Sequence, residues 1–416
     1  MDSSSPALLQ IAPRFNQTPT SGAEYRNLYL ASRLARQMAV THMGFRSPDA
    51  PGAVASDNPN HRFVAVPRNG SYRAQDLLRG ALGPMPFSVL NYTRPEMSTA
   101  IADHFRKQRF DIVLLEGVHL GGYLSQLRSL DARPLVVCDW HNVESEILER
   151  YSRGANGGLR RAYARLTAKR LEQYERWFVN QCDMHIAVSE RDAEVLRRSY
   201  GAKVPVVVVE NGVPLEYFSR VESDSRERFR VLFSGAMDYH ANVEAAVWFA
   251  LEAWPSIHAA RPQAVFTIVG RNPSSAVRAL GSQPGIEVTG TVPEVRPYYK
   301  EALVAVVPLR VGGGTRIKIL EAMAAGVPVV STALGAEGLV AAPGEHYVRA
   351  DSSREIATAV TDLLANPSKA GCFVSAGRDL VRRRYDWTFL GDRLADALLQ
   401  MLNKKEPASH EPRASS

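Results

Sequence analysis

The chain has 416 residues, of which 45% are hydrophobic and 22% are charged, as in a globular protein of about two domains. Its three cysteines lie far apart, and no apolar run approaches the ~20 residues that a membrane-spanning helix needs. These features argue against a disulfide framework, a zinc site and a transmembrane helix; with no recognisable signal peptide, we expect a cytoplasmic protein with reduced thiols.

The formal net charge of +7 is concentrated in the first half of the chain. Residues 1–220 hold 28 Lys and Arg against 22 Asp and Glu, whereas residues 221–416 hold 22 against 21. Such an excess fits nucleic acid, an anionic membrane surface or an anionic ligand, and it fits an ordinary solvated surface equally well. Because no basic stretch is interleaved with aromatic residues and no DNA-binding motif is present, we expect no nucleic-acid partner.

Buried strands and amphipathic helices alternate along the first half. We expect flexible ends at residues 1–13 and 403–416. Continuous, β-branched apolar runs predict strands at residues 111–117, 134–140, 184–189 and 204–212. Residues 158–178 carry apolar side chains at helical spacing. Continuous rather than alternating apolarity indicates strands covered on both faces, as in a parallel sheet.

The same alternation restarts in the second half, after a polar segment at residues 219–229 that we interpret as a linker. Strands are predicted at residues 229–235, 264–270, 286–290, 304–309 and 327–332. Helices are predicted at residues 242–257, 295–302 and 315–326. The pattern predicts two doubly wound α/β domains, and two such sheets facing each other would form a cleft lined by the carboxyl ends of their strands.

The stretch VGGGTRIKILEAMAAGVPVVST, residues 311–332, predicts a glycine-rich turn that leads into a helix. Glycines allow close approach to a ligand, and the free amides at a helix N-terminus favour phosphate. Two cations and a carboxylate that can accept from a ribose diol complete a set suited to a nucleoside diphosphate. The candidate positions are Gly313, Gly314, Thr315, Arg316, Lys318 and Glu321. A surface loop with a salt bridge from the glutamate to either cation explains the same residues equally well.

Several motifs in a fixed order resemble the signatures of the family 4 (group 1) glycosyltransferases. They are VLFSGAMDYHANVEAAVWF, FTIVGR, VTGTVPEVRPYY, VAVVPLRVGGGTRIKILEAMAAGVPVV and RRYDWTFLGDRL. The resemblance covers most of residues 14–402, is strongest over 229–365, and points to the Gly-Gly-Gly-Thr-Arg-x-Lys branch, which is often found in bacterial exopolysaccharide and surface-glycan pathways.

This resemblance implies the GT-B fold, in which two Rossmann-like, doubly wound parallel-sheet domains face an inter-domain cleft. It implies an acceptor-binding domain at residues 14–213, joined by a returning helix at 387–402. The donor-binding domain would then occupy residues 214–386.

The implied reaction is the transfer, with retention of anomeric configuration, of a sugar from a UDP- or GDP-sugar to a glycan or lipid-linked acceptor. No metal or other cofactor is implied, because the helix dipole with Arg316 and Lys318 would take the place of a divalent cation. The basic first domain fits peripheral contact with the anionic inner leaflet of a membrane. Two alternatives remain, a non-catalytic relative that binds nucleotide sugars or glycans and a GT-B sugar-nucleotide epimerase.

The resemblance also assigns positions outside this stretch. On the donor side they are Gly22, Gly235, Arg271 and Val292, although Arg271 also fits a solvated loop. His141 follows a predicted strand and is expected to be catalytic together with Arg316 and Lys318, although a lone loop histidine is more often structural. The acceptor side would take Glu116, His119, Asp139 and Glu144.

Two departures from the family pattern concern the donor site. Most members carry two glutamates eight positions apart, and Gly313 stands where the first would be. The loop SGAMDYHAN also lacks the Arg and Lys that many members place there. We expect Arg316 and Lys318 to substitute for those cations.

Overall fold

The computed structural model describes residues 5–15, 22–46, 56–68, 76, 79–80, 83, 85–131, 133–154, 157–219, 229–312 and 316–405. The chain forms two compact units. The first holds the residues up to 210 together with those from 390 onward, and the second holds residues 211–389. Each unit is built on its own parallel sheet with its own apolar core.

The sheet of the first unit has seven strands in the described residues, in the order β3-β2-β1-β4-β5-β6-β7, all parallel. They are β1 (Ala7–Ala12), β2 (Ala39–Arg46), β3 (His61–Pro67), β4 (Ile112–Glu116), β5 (Leu135–Trp140), β6 (Met184–Ala187) and β7 (Val206–Val208). The order reverses direction between β1 and β4, which is the place where an open parallel sheet opens a crevice for ligands.

Helices connect these strands. They are α1 (Gly22–Leu34), α2 (Phe87–Tyr92), α3 (Pro95–Lys107), α4 (Leu124–Arg128), α5 (Glu144–Gly154), α6 (Gly158–Phe178) and α7 (Glu190–Glu194). A 3₁₀ turn, Val118–Tyr123, follows β4, and a π-helical turn, Val195–Ser199, follows α7. Helix α6 has the bounds that the apolar spacing predicts.

The expectation of a flexible segment over residues 1–13 is wrong, because residues 7–12 form β1 in the middle of the sheet. All of β1 except its first residue is buried, and it pairs with β2 on one side and β4 on the other. A strand in the interior of a sheet is held by the strands on both sides, even when its residues come early in the sequence. The polar Gln10, fully buried, interrupts the apolar run that would have indicated a strand.

The second unit has six parallel strands in the described residues, in the order β10-β9-β8-β11-β12-β13. They are β8 (Arg230–Ser234), β9 (Val265–Val269), β10 (Ile286–Gly290), β11 (Ala302–Val307), β12 (Val329–Ser331) and β13 (Val348–Arg349). The nine predicted strands of both halves are present, with shifted ends; the run at 204–212, for example, contains only the three residues of β7.

The helices of the second half include the three that the apolar pattern predicts and the returning helix that the resemblance implies. They are α8 (Leu215–Ser219), α9 (His240–Trp248), α10 (Trp254–Ala260), α11 (Ser275–Leu280), α12 (Arg296–Glu301), α13 (Ile317–Ala324), α14 (Ser353–Ala365), α15 (Pro367–Arg384) and α16 (Trp387–Lys405). A π-helical turn, Phe249–Ala253, joins α9 to α10 where one helix was predicted. Helix α16 begins in the second unit, and from Leu390 onward it belongs to the first.

Most of the predicted linker, residues 220–228, lies outside the described residues. Within the described part of the chain, no helix combines the length and the apolar character needed to cross a bilayer. Because the strands of each sheet are parallel, their carboxyl ends share one edge. The described candidate residues of the first unit lie at or just after the ends of β4 and β5 or begin α1, and those of the second unit follow β8, β9 and β10 or lie at the start of α13.

Candidate functional site

Glycine at the carboxyl end of β8 lets the second unit bring its donor-side residues together. Gly235 has φ +148°, and a Cβ there would lie 2.8 Å from Asn242 Nδ2 and 3.0 Å from Lys318 Nζ. A Cβ on Gly270, after β9, would overlap the carbonyl oxygen of Gly235. A side chain at position 235 would therefore crowd Asn242 and Lys318, and one at position 270 would collide with the backbone of Gly235.

Lys318 lies in the first turn of α13 and is held by neutral partners. Its Nζ donates a 2.7 Å hydrogen bond to Asn242 Oδ1 and lies 4.5 Å from the centre of the Phe233 ring. Burial, together with the charge of Arg316, lowers the pKa of Lys318 to about 7, and Glu321 opposes the shift. The amine is thus close to half-charged at neutral pH until an anion approaches it.

Glu321 lies one turn further along α13, in reach of a buried tyrosine. The Tyr299 hydroxyl donates to Glu321 Oε2 at 3.0 Å and lies 2.8 Å from Ser234 Oγ. Burial raises the pKa of Glu321, while the Tyr299 hydrogen bond and the charge of Lys318 act in the opposite direction. In the described residues, Glu321 forms no side-chain salt bridge with Lys318 or Arg316. The alternative explanation of these charges, a surface loop held by such a salt bridge, is therefore not what the structure shows.

Arg316 immediately precedes α13 and is 4% exposed. Its Nε donates to the Leu334 carbonyl at 3.2 Å, so the guanidinium is anchored to the 3₁₀ turn that follows β12. Gly312 has φ +101°, and a Cβ there would come within 2.9 Å of Ala241 Cβ. The predicted positions Gly313, Gly314 and Thr315 lie outside the described residues.

The two remaining donor-side predictions lie at neighbouring strand ends. The Arg271 carbonyl, after β9, accepts from Met237 N at 2.9 Å, and its buried Nε has no hydrogen-bond partner in the described part of the chain. Val292, after β10, is half-buried against the core of the unit. The structure thus brings Gly235, Lys318 and Glu321 together and places Arg271 and Val292 along the same sheet edge.

A second cluster lies at the carboxyl ends of β4 and β5 in the first unit. His141 Nε2 donates to Glu116 Oε2 at 2.8 Å, and Gln10 Nε2 donates to Glu116 Oε1 at 2.5 Å. Glu116 is fully buried. Burial lowers the pKa of His141, but the Glu116 hydrogen bond and the charge of Asp139 outweigh it, so the net shift is upward.

Asp139, which the sequence analysis assigned to the acceptor side, is fully buried in an ion pair. Arg26 donates to both of its carboxylate oxygens, at 2.7 and 2.9 Å, and to the Glu210 carbonyl at 2.9 Å. Glu116, Asp139 and His141 each offer a ligand atom within 4.8 Å of the others, a spacing compatible with a cation. Arg26, Gln10 and the imidazole already hold the carboxylate oxygens, so the charges of this cluster are compensated by the protein itself.

His141 lines a pocket of about 260 Å³ that also includes His119, Glu144, Asn27 and Arg14. Burial lowers the pKa of His119 to about 3, and its Nε2 has no hydrogen-bond partner in the described residues. Burial raises the pKa of Glu144.

Two predicted glycine-containing segments border this pocket. Gly22 is the first residue of α1, and the following turn of that helix contributes Ala23 and Asn27 to the lining. Gly117 has φ +106°, and a Cβ there would overlap the His119 ring. The predicted acceptor-side residues therefore separate into a wall, formed by His119, His141 and Glu144, and a buried support, formed by Glu116 and Asp139.

Sequence reasoning missed the residues that hold the predicted ones in place. They are Gln10, Arg26, Asn27, Ser234, Asn242 and Tyr299. A signal existed for two of them: extending the buried stripe of α1 backward from Leu34 through Leu30 places Arg26 and Asn27 on the covered face. A cation on the inward face of a helix indicates a buried acidic partner.

Two family models match the chain, "Glycosyltransferase Family 4" over residues 20–217 and "Glycosyl transferases group 1" over residues 228–366. Phosphatidyl-myo-inositol mannosyltransferase of Mycobacterium leprae is 31% identical over 197 residues, which are 45% of this chain and 52% of that protein. The GDP-mannose-dependent alpha-(1-6)-phosphatidylinositol monomannoside mannosyltransferase of Mycolicibacterium smegmatis is 31% identical over 163 residues, 36% of this chain and 43% of that protein. The chain thus spans about half the length of these curated relatives.

Among solved structures, sucrose-phosphate synthase from Thermosynechococcus elongatus matches with a TM-score of 0.72 and 17% identity, covering 96% of this chain and 100% of that one. At that identity the likeness shows the fold alone, which is the GT-B fold of two Rossmann-like domains. The two family models together cover most of the chain, one on each unit. The chain therefore belongs to the family 4, group 1 glycosyltransferases.

Proposed function

We propose that this protein transfers a sugar, with retention of anomeric configuration, from a UDP- or GDP-sugar to a glycan or lipid-linked acceptor. The product would belong to a bacterial exopolysaccharide or another surface glycan. The observation that carries the proposal is the cluster of Lys318, Glu321 and Arg316 at the start of α13, beside the glycine-terminated strand β8. It combines cations for a diphosphate with a carboxylate for a ribose.

The proposed chemistry needs a stabilised leaving group. The bond between the sugar C1 and the diphosphate oxygen breaks, and its electron pair leaves with the nucleoside diphosphate. Arg316, Lys318 and the first amides of α13 neutralise that charge. The acceptor hydroxyl oxygen then bonds to C1 from the face that the diphosphate leaves, and its proton passes to the departing diphosphate or to water. No protein nucleophile and no metal or other cofactor is part of this scheme.

On the acceptor side, we propose that the 260 Å³ pocket of the first unit holds hydroxyl groups of the acceptor. Its wall offers His141 as a donor, Glu144 as an acceptor and His119 with an unused ring nitrogen. Hydroxyl groups both donate and accept, so they match such a mixed lining. The names of the two mannosyltransferases make GDP-mannose the first donor and phosphatidylinositol the first acceptor to test.

We also propose that the first unit contacts an anionic membrane surface through α6. Residues 158–171 carry five Lys and Arg and no acidic residue. Tyr163 and Leu166, three residues apart on this helix, are 61% and 57% exposed. A basic helix with exposed apolar side chains fits an interface between anionic headgroups and acyl chains.

Vesicle sedimentation tests the membrane contact. We expect binding to vesicles of phosphatidylcholine with phosphatidylglycerol, weaker binding in high salt, and loss of binding in the Tyr163→Ser/Leu166→Ser double variant. Equal sedimentation with pure phosphatidylcholine vesicles, or unchanged binding by the double variant, would contradict it. The double variant should keep its thermal stability, because both side chains are exposed.

The transferase proposal is tested with purified protein, a panel of UDP- and GDP-sugars, and candidate acceptors. We expect release of nucleoside diphosphate that depends on the acceptor, and NMR of the product should show the anomeric configuration of the donor. Nucleotide-sugar binding without turnover on any acceptor would favour a non-catalytic relative, which the missing first glutamate at Gly313 makes the second candidate. Conversion of the donor into an isomer without acceptor would identify an epimerase instead.

A further inference from the structure

We propose that Tyr299 is a positioning residue that holds Glu321 for the donor ribose, so that the donor site selects ribonucleotides over deoxyribonucleotides. This inference rests on the proposed function, because it assumes that a nucleotide binds at the start of α13. It adds to that function a specificity and the residues that set it, Tyr299 on α12 and Ser234 at the end of β8.

Burial, a ring contact and two hydrogen-bonding groups hold the Tyr299 side chain in place. It is 1% exposed, and its ring packs edge-on against Phe218 with centroids 5.6 Å apart and an interplanar angle of 89°. Its hydroxyl lies between Ser234 Oγ at 2.8 Å and Glu321 Oε2 at 3.0 Å. The hydroxyl position is therefore determined by the core of the unit and by the sheet.

The chemistry of the three groups fixes the direction of the hydrogen bonds. A carboxylate oxygen accepts, so the single proton of the Tyr299 hydroxyl goes to Glu321. The hydroxyl oxygen can then accept, and Ser234 supplies the donor. The chain of bonds runs from the end of β8 to the glutamate, and it orients the carboxylate with respect to Gly235 and Lys318.

This arrangement leaves half of the carboxylate for a ligand. Oε2 of Glu321 accepts a hydrogen bond from Tyr299, whereas Oε1 makes no hydrogen bond with the described residues. The Glu321 side chain is only half-buried. When one carboxylate oxygen is held by a hydrogen bond and the other has no partner, the carboxylate has a fixed orientation in which the second oxygen can accept from a ribose hydroxyl. A site built to accept from a hydroxyl discriminates against an analogue that lacks it, since the carboxylate oxygen then loses that hydrogen-bond partner.

The experiment measures dissociation constants by calorimetry for UDP, GDP and their 2′- and 3′-deoxy forms. For the unchanged protein we expect about tenfold or greater preference for the ribonucleotides over at least one deoxy form. In Tyr299→Phe this preference should fall about tenfold while thermal stability shows a folded protein. Ser234→Ala should give an intermediate preference, and Glu321→Gln should abolish it. Tyr298→Phe, which removes the same hydroxyl one residue earlier, is the matched control and should behave as the unchanged protein.

Three outcomes would overturn the inference. One is a ribose preference that is unchanged in Tyr299→Phe. If that variant does not fold, an unchanged preference in Ser234→Ala counts in its place. Another is an equal loss of affinity for ribo and deoxy forms, which is what general damage to the site produces. The last is tight nucleotide binding by the unchanged protein with no preference for ribose, which leaves the proposed function standing. If the unchanged protein binds none of these nucleotides, the proposed function itself is wrong.

Discussion

The amine of Lys318 is hydrogen-bonded at 2.7 Å to the amide oxygen of Asn242, a neutral group, rather than to a carboxylate. An ammonium ion that is buried with a neutral partner loses hydration without gaining a counter-charge. This pairing explains why the pKa of Lys318 falls to about 7 although Glu321 lies one turn further along the same helix. Among the described residues, Lys318 therefore has no hydrogen-bonded counter-ion.

Proton uptake on nucleotide binding follows from this pairing. A bound diphosphate raises the pKa of Lys318, so the complex holds more protons than the free protein above pH 7. Affinity for UDP or GDP should therefore fall as the pH rises from 7.5 to 9, by up to about tenfold per pH unit. Calorimetry in buffers of different ionisation enthalpy measures the proton directly. Lys318→Arg, which stays charged throughout, should abolish the uptake; uptake that persists in this variant would exclude Lys318 as its source.

Removal of the guanidinium at the start of α13 should abolish transfer without unfolding the protein. Arg316→Ala deletes the guanidinium that we propose neutralises the leaving diphosphate, and we expect turnover to fall roughly 10²- to 10³-fold. Arg310→Ala is the matched control, since Arg310 lies nearby but pairs with Glu244 and stacks on Trp248. Near-normal turnover in Arg316→Ala, or an equal loss in the control, would remove Arg316 from the mechanism.

The charge state of His141 should depend on Glu116. The hydrogen bond from Nε2 to this buried carboxylate stabilises the imidazolium, so Glu116→Gln should lower the pKa of His141. NMR titration of the imidazole measures the change independently of activity. Glu144→Gln, in the same pocket but without a hydrogen bond to His141 in the described residues, should cause a smaller shift. An unchanged titration in Glu116→Gln would show that another group holds the proton.

Acid should destabilise the first unit through His42. This β2 residue is 3% exposed, its Nδ1 has no partner in the described residues, and burial with the nearby His61 lowers its pKa to about 3. The unfolded chain binds the proton at the ordinary pKa of 6.5, so stability is lost as the pH falls below 6.5. At pH 5 the loss is about 2 kcal/mol.

Thermal unfolding at pH 7.5 and pH 5 tests the role of His42. His42→Phe, which places another ring among Phe15 and Phe63, should narrow the difference in melting temperature between the two conditions. His104→Phe, at a partly exposed position on α3, should leave that difference unchanged. If both variants keep the full acid sensitivity, its cause lies elsewhere.

Five of the six described strands of the second sheet were predicted, because parallel strands covered on both faces are mostly continuous apolar runs; the two-residue β13 was missed. The first three strands of the chain were not predicted, for a reason tied to the site. Gln10 in β1 supports Glu116, and Thr41 and His42 in β2 are buried. Polar residues inside a sheet break the pattern that predicts strands.

The candidate residues of the two units also differed in how far the sequence could predict them. Arg316, Lys318 and Glu321 lie within six residues, so one short stretch of sequence revealed them together. Glu116 and His141 are 25 residues apart, and Arg26 lies 113 residues from Asp139. Only the order of the strands in the sheet brings these groups together, and no periodicity within a single segment encodes that order. Tyr299, on the helix before β11, was missed for the same reason.

The path of α16 sets the order in which the two units can be completed during synthesis. The second unit is one continuous segment, residues 211–389, whereas the first needs residues from 390 onward. Leu390, Leu394 and Leu398 are fully buried, and Arg393 bonds Glu210 in the first unit. A nascent chain therefore carries all of the second unit before the segment that closes the first has been made. The half of the protein that is translated first is the half whose folding finishes last.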